Sequence, residues 1–492
     1  MLVLRLLGGL AFLVPLALYL ASAGGYPAFW DTGELQTVPY ILGIAHPTGF
    51  PFFTLVGWLA SHALPLGSVA WRINAMCALA VAGAAWMLWR VAVRLGAFPP
   101  LALLAAWWFA FGEVVWSRAI RAEAHDLALL LGALAIGCAL EYHLEGDPRM
   151  LRWCALWLGL GLANHPIALW LIPGLMILVL AGGRALPMRT LATCAAIVAA
   201  ALALYAYLPI RSAVVATANL DPARVLPGMD GGFLWDYNHP STWHGFLAEV
   251  SGSQFGAGST LTAVLDLSSY PTYVSHWLRA GVPEFGLFGI VLALIGIVVL
   301  ALRDWRAALG LSAAACAAVP FAIAFRDVEG DVARYFVLSF WMVGVALACC
   351  FPASWFTRGT VVERASAWLV LLFMAIYAGR TLHGNLAILQ QRHDRGAQSV
   401  IDTVRASTPS NAVVVAPWLD ATALGYAAYV EHSLGRRIIV SAWPDDIASE
   451  YPAWMRLRPV YLAVDQEPRL PGLRARHVSR TFAPIGVYEV VR

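Results

Sequence analysis

Charged residues are scarce in this chain of 492 residues, and lysine is absent altogether. Asp, Glu, Lys and Arg make up only 12% of the residues, and all 32 basic side chains are arginine. A soluble globular chain carries about 25% charged and about 45–50% apolar residues, whereas 60% of this chain is hydrophobic. The composition excludes an ordinary soluble protein and predicts a membrane protein with many spans. The net charge of +3 gives no indication of nucleic-acid binding.

Cysteine and phosphate-binding glycine motifs are also sparse. The seven cysteines all lie in apolar stretches, which is typical of small buried hydrophobic side chains rather than of a disulfide framework or a zinc site. We find no Gly-rich phosphate fingerprint in the C-terminal tail and no repeat of solenoid or transporter type in the chain.

Long apolar runs are what the chain has in abundance. They predict about eleven spans, near 4–23, 72–93, 101–117, 124–142, 152–164, 166–181, 190–209, 284–302, 307–325, 335–352 and 366–380. Arginines lie at alternate ends of these runs, which is the cytoplasmic signature, so we expect the N-terminus inside and the C-terminus outside. Arg5, an apolar run and Ala21-Ser22-Ala23 also resemble a signal peptide. We favour an uncleaved first helix, because the loop that follows requires an anchor.

The predicted organisation is an α-helical polytopic domain over residues 1–380 and a small α/β domain over residues 381–492. Two long outer loops, 24–71 and 210–283, interrupt the helical part. In the tail, strands are predicted at 411–416, 437–441, 460–464 and 487–491, with helices at 386–406 and 421–434. Strands that alternate with helices indicate a small parallel or mixed sheet.

The first outer loop concentrates the ionisable side chains in the stretch FWDTGELQTVPYILGIAHPTGFP, Phe29 to Pro51. Charged groups at the mouth of a span are costly and usually functional. Asp31 or Glu34 could act as a general base toward an acceptor hydroxyl, with His46 nearby. The alternatives are structural: Asp31 could cap a helix that begins near Thr32, and His46 could be a satisfied hydrogen-bonding group.

Two further groups of polar residues lie on the predicted outer face. One is the turn FGEVVWSRAIRAEAHDLALLL, where the Glu123 side chain is expected to face the bundle. The other consists of outer arginines, which either bind phosphate through their forked guanidinium or pair with neighbouring acids. His125, His165, His46 and Asp31 could ligate a metal, but no tight spacing supports this, and no metal site is predicted. The candidate substrate-binding residues are His46, Arg118, Glu123, His125, His165, Arg211, Arg326 and Arg334.

These motifs resemble a known family. FWDTGE and AHPTGFP, followed by GLGLANHPIALWLIPG, YLPIRSA and PSTWHGFLAEVSGSQF, are similar to bacterial membrane proteins that carry the domain of unknown function 2723. A vertebrate relative of that family is the protein O-mannosyltransferase acting on IPT domains of plexins. The resemblance covers most of residues 1–260. Thr32 stands where relatives often have Cys, and Pro47-Thr48 where they often have Pro-Pro, but neither difference removes a charged group.

The family is similar to the GT-C glycosyltransferases, which implies a multi-span bundle, a catalytic acid in the first outer loop and a polyprenyl-phosphate sugar as donor. On this resemblance Asp31 is the catalytic carboxylate with Glu34 beside it, and Glu123 is the acid of the second loop. Arg211 becomes a candidate ligand of the donor phosphate. His165 matches a family position to which we assign no role.

The sequence thus predicts an inverting glycosyltransferase in a bacterial inner membrane, working at the periplasmic face. Its partners would be a lipid-linked sugar, membrane lipid and an acceptor protein or glycan, and mannose is one candidate sugar. No further cofactor is required, and a divalent metal has no support in the spacing. A transporter or flippase of a lipid-linked or anionic substrate is the first alternative, and would place ionisable groups near mid-membrane. A scaffold or receptor that binds a partner through its C-terminal domain is the second.

Overall fold

The computed structural model describes residues 2–180, 183–184, 186–229, 231–255, 262, 265–324, 332–479 and 485–492. Most of this part of the chain is helical. Short 3-10 segments join several helices, among them Pro166–Leu171, Val332–Phe336 and Leu386–His393. The α-helices, in chain order, are α1 Leu2–Ser22, α2 Trp30–Ile41, α3 Pro51–Ala63, α4 Val69–Arg94, α5 Pro99–Ala110, α6 Glu113–Ala119, α7 Ala124–Glu145, α8 Pro148–Asn164, α9 Ile172–Leu180, α10 Met188–Leu202, α11 Tyr207–Thr217, α12 Trp243–Ser251, α13 Tyr270–Ala315, α14 Val319–Ala324, α15 Val337–Ala348, α16 Ala353–Thr357, α17 Val361–Gly384, α18 Gly396–Ser407, α19 Trp418–Tyr429 and α20 Tyr451–Trp454.

Fewer of the described helices qualify as candidate membrane spans than the sequence predicts. Six described helices are long and apolar enough to cross a membrane, or seven when the bent pair α5 and α6 counts as one span. The prediction of about eleven spans is therefore not confirmed. The apolar windows do fall on helices, but Pro166–Leu180 and Val332–Ala348 are too short to qualify. Two predicted spans, 284–302 and 307–325, lie in the segment Leu267–Ala324, which counts as a single candidate.

Local breaks account for these differences. α5 and α6 meet at an angle of 70°. Within α13 the backbone leaves the helical region at Gly286, where φ is +65°, and again at Asp304. A positive φ is readily adopted by glycine and rarely by other residues. The break at Asp304 lies between the predicted spans 284–302 and 307–325. Hydropathy averaged over a window does not record the break at Gly286 or the bend between α5 and α6.

The predicted C-terminal sheet is present. Its strands are β1 Val413–Ala416, β2 Ile438–Ser441, β3 Val460–Val464, β4 Arg474–His477 and β5 Gly486–Val491, in the spatial order β2-β1-β3-β5-β4. β1 pairs in parallel with β2 and β3, whereas β3–β5 and β5–β4 are antiparallel. The sheet is therefore mixed. The sequence reading missed β4, because its RARH stretch is mostly exposed and lacks apolar alternation.

One apolar core joins the helix α2 to the C-terminal sheet. Leu35 of α2, Cys77 of α4 and Leu127 of α7 belong to the same buried cluster as Val414 of β1 and Leu424 of α19. A side chain at Gly33 would place its Cβ 2.3 Å from the Ala28 carbonyl oxygen and 2.9 Å from Oγ1 of Thr422, so α2 and α19 approach closely there. The C-terminal domain is consequently packed directly against the helix that carries Asp31.

Candidate active site

Asp31 lies in the first turn of α2, and its carboxylate is held from two directions. Nη1 of Arg334 donates a hydrogen bond to Oδ2 over 3.1 Å, and the indole Nε1 of Trp418 donates one to Oδ1 over 3.2 Å. The helix is capped at Phe29, without a side-chain cap. The alternative prediction, that Asp31 caps this helix, is therefore wrong. Its carboxylate is free of the backbone and directed at a cation and an indole.

Glu34 and His46 form a buried ion pair one helical turn from Asp31. Glu34 has no exposed surface. Its Oε2 contacts Nδ1 of His46, and its Oε1 accepts the backbone N–H of His46 over 2.7 Å. Burial raises the pKa of Glu34, and His46 opposes that rise. Burial lowers the pKa of His46, but Glu34 and Asp31 outweigh it and raise the pKa to about 9. We therefore take His46 as a cation at neutral pH.

A second pair lies where α7 begins. Glu123 is 5% exposed, and its Oε1 is 2.7 Å from Nδ1 of His125. Burial alone would raise the pKa of Glu123, but His125, Arg334 and Arg118 lower it well below the usual range. Glu123 thus stays ionised. The buried Nε2 of His125 has no hydrogen-bond partner within the described part of the chain, which leaves it available to a ligand.

His165 closes one side of the site as a neutral ring. Its Nδ1 accepts the backbone N–H of Ile167 over 3.1 Å, so in the neutral form the proton lies on Nε2. Burial, together with the neighbouring His125, lowers the pKa of His165 well below its usual range. The ring stacks on Phe50, with centroids 5.7 Å apart and planes 4° from parallel. Phe50 itself has a φ of +42°, an uncommon conformation for a residue other than glycine.

Two cavities meet at Asp31, Glu123 and Arg334. The first, cavity A, has a volume of about 200 Å³. The second, cavity B, has a volume of about 410 Å³. Cavity A is lined mainly by apolar and imidazole side chains, including His46, Phe50, His125, His165, Leu169, Trp170, Phe321 and Tyr335. Cavity B is lined by a more polar set that includes Tyr26, Phe29, Trp30, Gln36, Asn74, Arg118, Arg121, Gln391 and Asp394.

Seven of the ten predicted site residues line these two cavities, whereas the described residues Glu34 and Arg211 line neither. Arg211 is directed at the end of α2, where its guanidinium donates to the carbonyl oxygens of Ile41, over 3.0 Å, and Leu42. It lines neither cavity. Arg326 lies outside the described residues. Glu34 contacts His46, and His46 in turn lines cavity A.

Two residues that act on the predicted group through a hydrogen bond or a charge were not predicted from the sequence. Trp418 comes from the C-terminal domain, 387 positions after Asp31. The signal was its place directly after a buried parallel strand, since ligands bind at the carboxyl ends of such strands. Glu249 of α12 is fully buried. Its Oε2 accepts Nδ2 of Asn238 over 3.0 Å, whereas Oε1 has no partner in the described ranges. Burial raises the pKa of Glu249 well above its usual range.

Among the residues that the structure describes, carboxylate and imidazole atoms converge at one group that could hold a cation. One atom each of Asp31, Glu34 and His46 lie within 4.8 Å of one another. Oxygen and nitrogen donors of this kind suit several divalent metals. In the observed arrangement, however, Nδ1 of His46 is already engaged by Glu34. A metal would have to replace that ion pair, so the geometry is equally explained by a hydrogen-bonded pair.

The fold places the protein in a structural class. Over 98% of its length it superposes on 97% of ArnT from Cupriavidus metallidurans bound to undecaprenyl phosphate, with a TM-score of 0.58 and 14% sequence identity. The apo form of ArnT gives a TM-score of 0.57 over 97% of this chain and 96% of that one, at 13% identity. The chain therefore has the GT-C fold that the sequence predicts, and it is a multi-pass membrane protein.

The similarity in sequence to known proteins covers less of the chain than the similarity in structure. Residues 31–186 match the family model described as the Protein O-mannosyl-transferase TMEM260 N-terminal domain. Protein O-mannosyl-transferase TMEM260 from Mus musculus is 30% identical over 251 residues, which cover 48% of this chain and 33% of the mouse protein. The Dictyostelium discoideum protein of the same name is 24% identical over 283 residues, covering 54% of this chain and 33% of that protein. The chain spans about a third of the length of these relatives. The predicted resemblance to O-mannosyl-transferase relatives is confirmed.

Proposed function

We propose that the protein is an inverting glycosyltransferase that moves a sugar from a polyprenyl-phosphate-linked donor to an acceptor hydroxyl. The observation that carries this proposal is the position of Asp31 at the junction of two cavities, with Arg334 beside it. A transfer between two substrates requires such a shared point, because the reacting atoms must come within about 3–3.5 Å of each other. A base and a fixed cation at that point suit both halves of the reaction.

Cavity A is assigned to the donor. Leu169, Trp170 and Phe321 give it an apolar wall, and Leu169 is 52% exposed on the outside of the molecule, where a lipid chain could enter. Two cationic groups, His46 and Arg334, line the same cavity and would hold the phosphate. The ArnT complex with undecaprenyl phosphate, a structure of the same fold, supports a polyprenyl donor.

Cavity B is assigned to the acceptor. Its lining of amide, guanidinium and aromatic groups suits a polar ligand that approaches from water. The acceptor hydroxyl would give its proton to the Asp31 carboxylate as its oxygen bonds to C1 of the sugar. The bond from C1 to the phosphate oxygen breaks on the opposite face, and the phosphate keeps the electron pair. Attack from one face with departure from the other inverts the anomeric carbon.

The charges around Asp31 match the demands of that step. Arg334 and the His46 cation face the phosphate, whose negative charge grows as the bond to C1 breaks. Glu123, which stays ionised, contributes a negative charge at the junction, where the sugar becomes oxocarbenium-like. The acids Asp31 and Glu123 come from α2 and from the residue before α7. The cations come from the loop after α2 and from the 3-10 segment Val332–Phe336.

The sugar and the acceptor are inferred from the names of the relatives. Those relatives are named protein O-mannosyl-transferases, so we propose mannose as the sugar and a protein hydroxyl as the acceptor. The alternating arginines support the further proposal that the cavities lie on the periplasmic side of a bacterial inner membrane. The C-terminal domain, residues 381–492, would then lie in the periplasm.

The test is release of free polyprenyl phosphate by the purified protein in detergent, because this readout does not require the acceptor to be known. Polyprenyl-phosphate mannose, glucose and arabinose are offered separately to the wild type, to Asp31→Asn and to the control Asp445→Asn, an exposed acid of the C-terminal domain. Turnover with one donor that is lost only in Asp31→Asn is the expected result. Equal turnover in all three proteins would remove Asp31 as the base. Donor binding without turnover in any protein would favour a transporter.

A further inference from the structure

The indole of Trp418 is the one contribution of the C-terminal domain to the Asp31 carboxylate that the described residues reveal. Oδ1 accepts the indole N–H, and Oδ2 accepts Nη1 of Arg334. Each carboxylate oxygen therefore has one donor. Because every carboxylate oxygen can accept about two hydrogen bonds, each keeps acceptor capacity for a substrate hydroxyl. The two donors fix the plane of the carboxylate without using up its capacity as a base.

The packing of α19 against α2 and α4 places Trp418 beside Asp31. β1 ends at Ala416 and α19 begins at Trp418, so the residue lies at the turn where a parallel strand meets its helix. α19 is held against α2 at Gly33, and the backbone N–H of Ala70 donates to the hydroxyl of Tyr426 over 3.0 Å. The helix is therefore anchored at both ends to the membrane domain. A side chain on such an element is placed more precisely than one on a free loop.

Neighbouring rings fix the orientation of the indole itself. Its centroid is 5.5 Å from that of Phe233, 6.0 Å from that of His46 and 6.1 Å from that of Tyr237. The interplanar angles of 64°, 85° and 83° correspond to edge-to-face contacts. These contacts leave the N–H edge directed at Asp31. Two different domains thus determine the geometry of one carboxylate.

We infer that Trp418 is a positioning residue for the base Asp31, and that the C-terminal domain completes the active site through it. This inference rests on the proposed function. A general base must lie within hydrogen-bond reach of the proton that it accepts. A misplacement of about 1 Å can reduce the rate by about 100-fold. The indole N–H holds Oδ1 of Asp31 while Arg334 holds Oδ2, so both donors oppose rotation of the carboxylate away from this orientation.

Two variants separate the N–H from the ring. Trp418→Phe keeps an aromatic ring and loses the N–H. Trp418→His keeps an N–H at the same ring position, since Nε2 of imidazole corresponds to Nε1 of indole, but loses the fused six-membered ring. The control is Trp443→Phe, because Trp443 belongs to the same domain and is 64% exposed. The readouts are kcat and KM for polyprenyl-phosphate sugar, with the melting temperature of each protein.

If Trp418 positions Asp31, Trp418→Phe lowers kcat by about tenfold or more, leaves the donor KM within about twofold, and Trp418→His recovers most of the loss. A role in packing alone would reverse this order, with Trp418→His the more damaged variant, and would overturn the inference. So would a kcat for Trp418→Phe equal to that of Trp443→Phe. If no donor is turned over by the wild type, the proposed function fails. If Asp31→Asn turns over normally, the assignment of Asp31 as the base fails, whatever the Trp418 variants do. If Asp31→Asn is inactive and Trp418→Phe is normal, only the present inference fails.

Discussion

The guanidinium of Arg334 lies 3.1 Å from the Asp31 carboxylate and joins residues that are 303 positions apart in the chain. Arg334 belongs to the 3-10 turn that leads into α15, and Asp31 to the first turn of α2. The pair is mostly buried, with exposed side-chain fractions of 9% for Arg334 and 22% for Asp31. An ion pair at the junction of two cavities can orient a base and also neutralise a departing phosphate.

Replacing Arg334 by Gln is expected to lower kcat by about 100-fold or more, because the departing phosphate loses a fixed cation and Asp31 loses one of its donors. Arg334→Lys should recover part of the rate, since it restores the charge without the fork. The control is Arg476→Gln, which removes an exposed arginine of the C-terminal domain. Steady-state release of polyprenyl phosphate measures the effect. Equal rates in the Arg334→Gln and Arg476→Gln proteins would show that Arg334 has no part in the reaction.

The variant Arg211→Gln tests whether Arg211 has a structural role or the predicted role in binding the donor phosphate. Its guanidinium holds the carbonyl oxygens at the end of α2, so Arg211→Gln is expected to destabilise the protein by about 1–2 kcal/mol. The donor KM should change by less than about threefold. Thermal unfolding and donor kinetics on the same sample measure both quantities. A large rise in the donor KM at an unchanged melting temperature would show that Arg211 binds the donor phosphate.

His46 should give the protein a stability that depends on pH. Its pKa is raised to about 9 from the usual 6.5 by Glu34 and Asp31, despite burial. A group whose pKa is higher in the folded state stabilises fully below its unfolded pKa and loses that effect as the pH rises through the folded value. The melting temperature should therefore fall between about pH 6.5 and pH 9.

The variant His46→Asn tests the origin of this fall, because its amide can donate to Glu34 but cannot titrate in that range. Its melting temperature should decline less than that of the wild type across the same interval. Parallel curves for the two proteins would mean that another group, and not His46, causes the dependence.

Glu249→Gln should stabilise the protein at neutral and alkaline pH. Burial raises the pKa of Glu249 well above 4.5, so the folded state retains a proton that the unfolded state releases. Stability from this group is present below about pH 4.5 and is lost as the pH rises. Gln keeps the polar contact with Asn238 and removes the titration. The gain in melting temperature over the wild type should grow between pH 5 and pH 8, and a constant or negative difference would contradict the assignment.

Part of the candidate site could be predicted from the sequence, because several of its ionisable residues lie in one short segment. Asp31, Glu34 and His46 lie within 15 positions of one another, and they meet in space. The partners of Asp31 were harder to predict. Arg334 and Trp418 reach it from elements hundreds of residues away, and only the packing of α2 against α19 brings the indole within reach.

Arg211 illustrates a different limit of the sequence. A lone outer arginine after a span is compatible with a phosphate ligand and with a helix-end clamp, and the choice depends on which acceptor its guanidinium meets. The left-handed residue Leu42, with a φ of +51°, directs its carbonyl and that of Ile41 toward Arg211. The prediction of the spans had a similar limit, because the bend between α5 and α6 depends on backbone angles that hydropathy does not record.

The stereochemistry of the transferred sugar tests the central claim most directly, which is that Asp31 acts as a base in a single displacement. The wild-type protein is supplied with a donor of defined anomeric configuration, and the linkage in the first product formed is determined by NMR. A product of opposite configuration at C1 is what a base at the junction of the two cavities predicts. A product that retains the donor's configuration would contradict it, because Asp31 would then have to bond to the sugar itself.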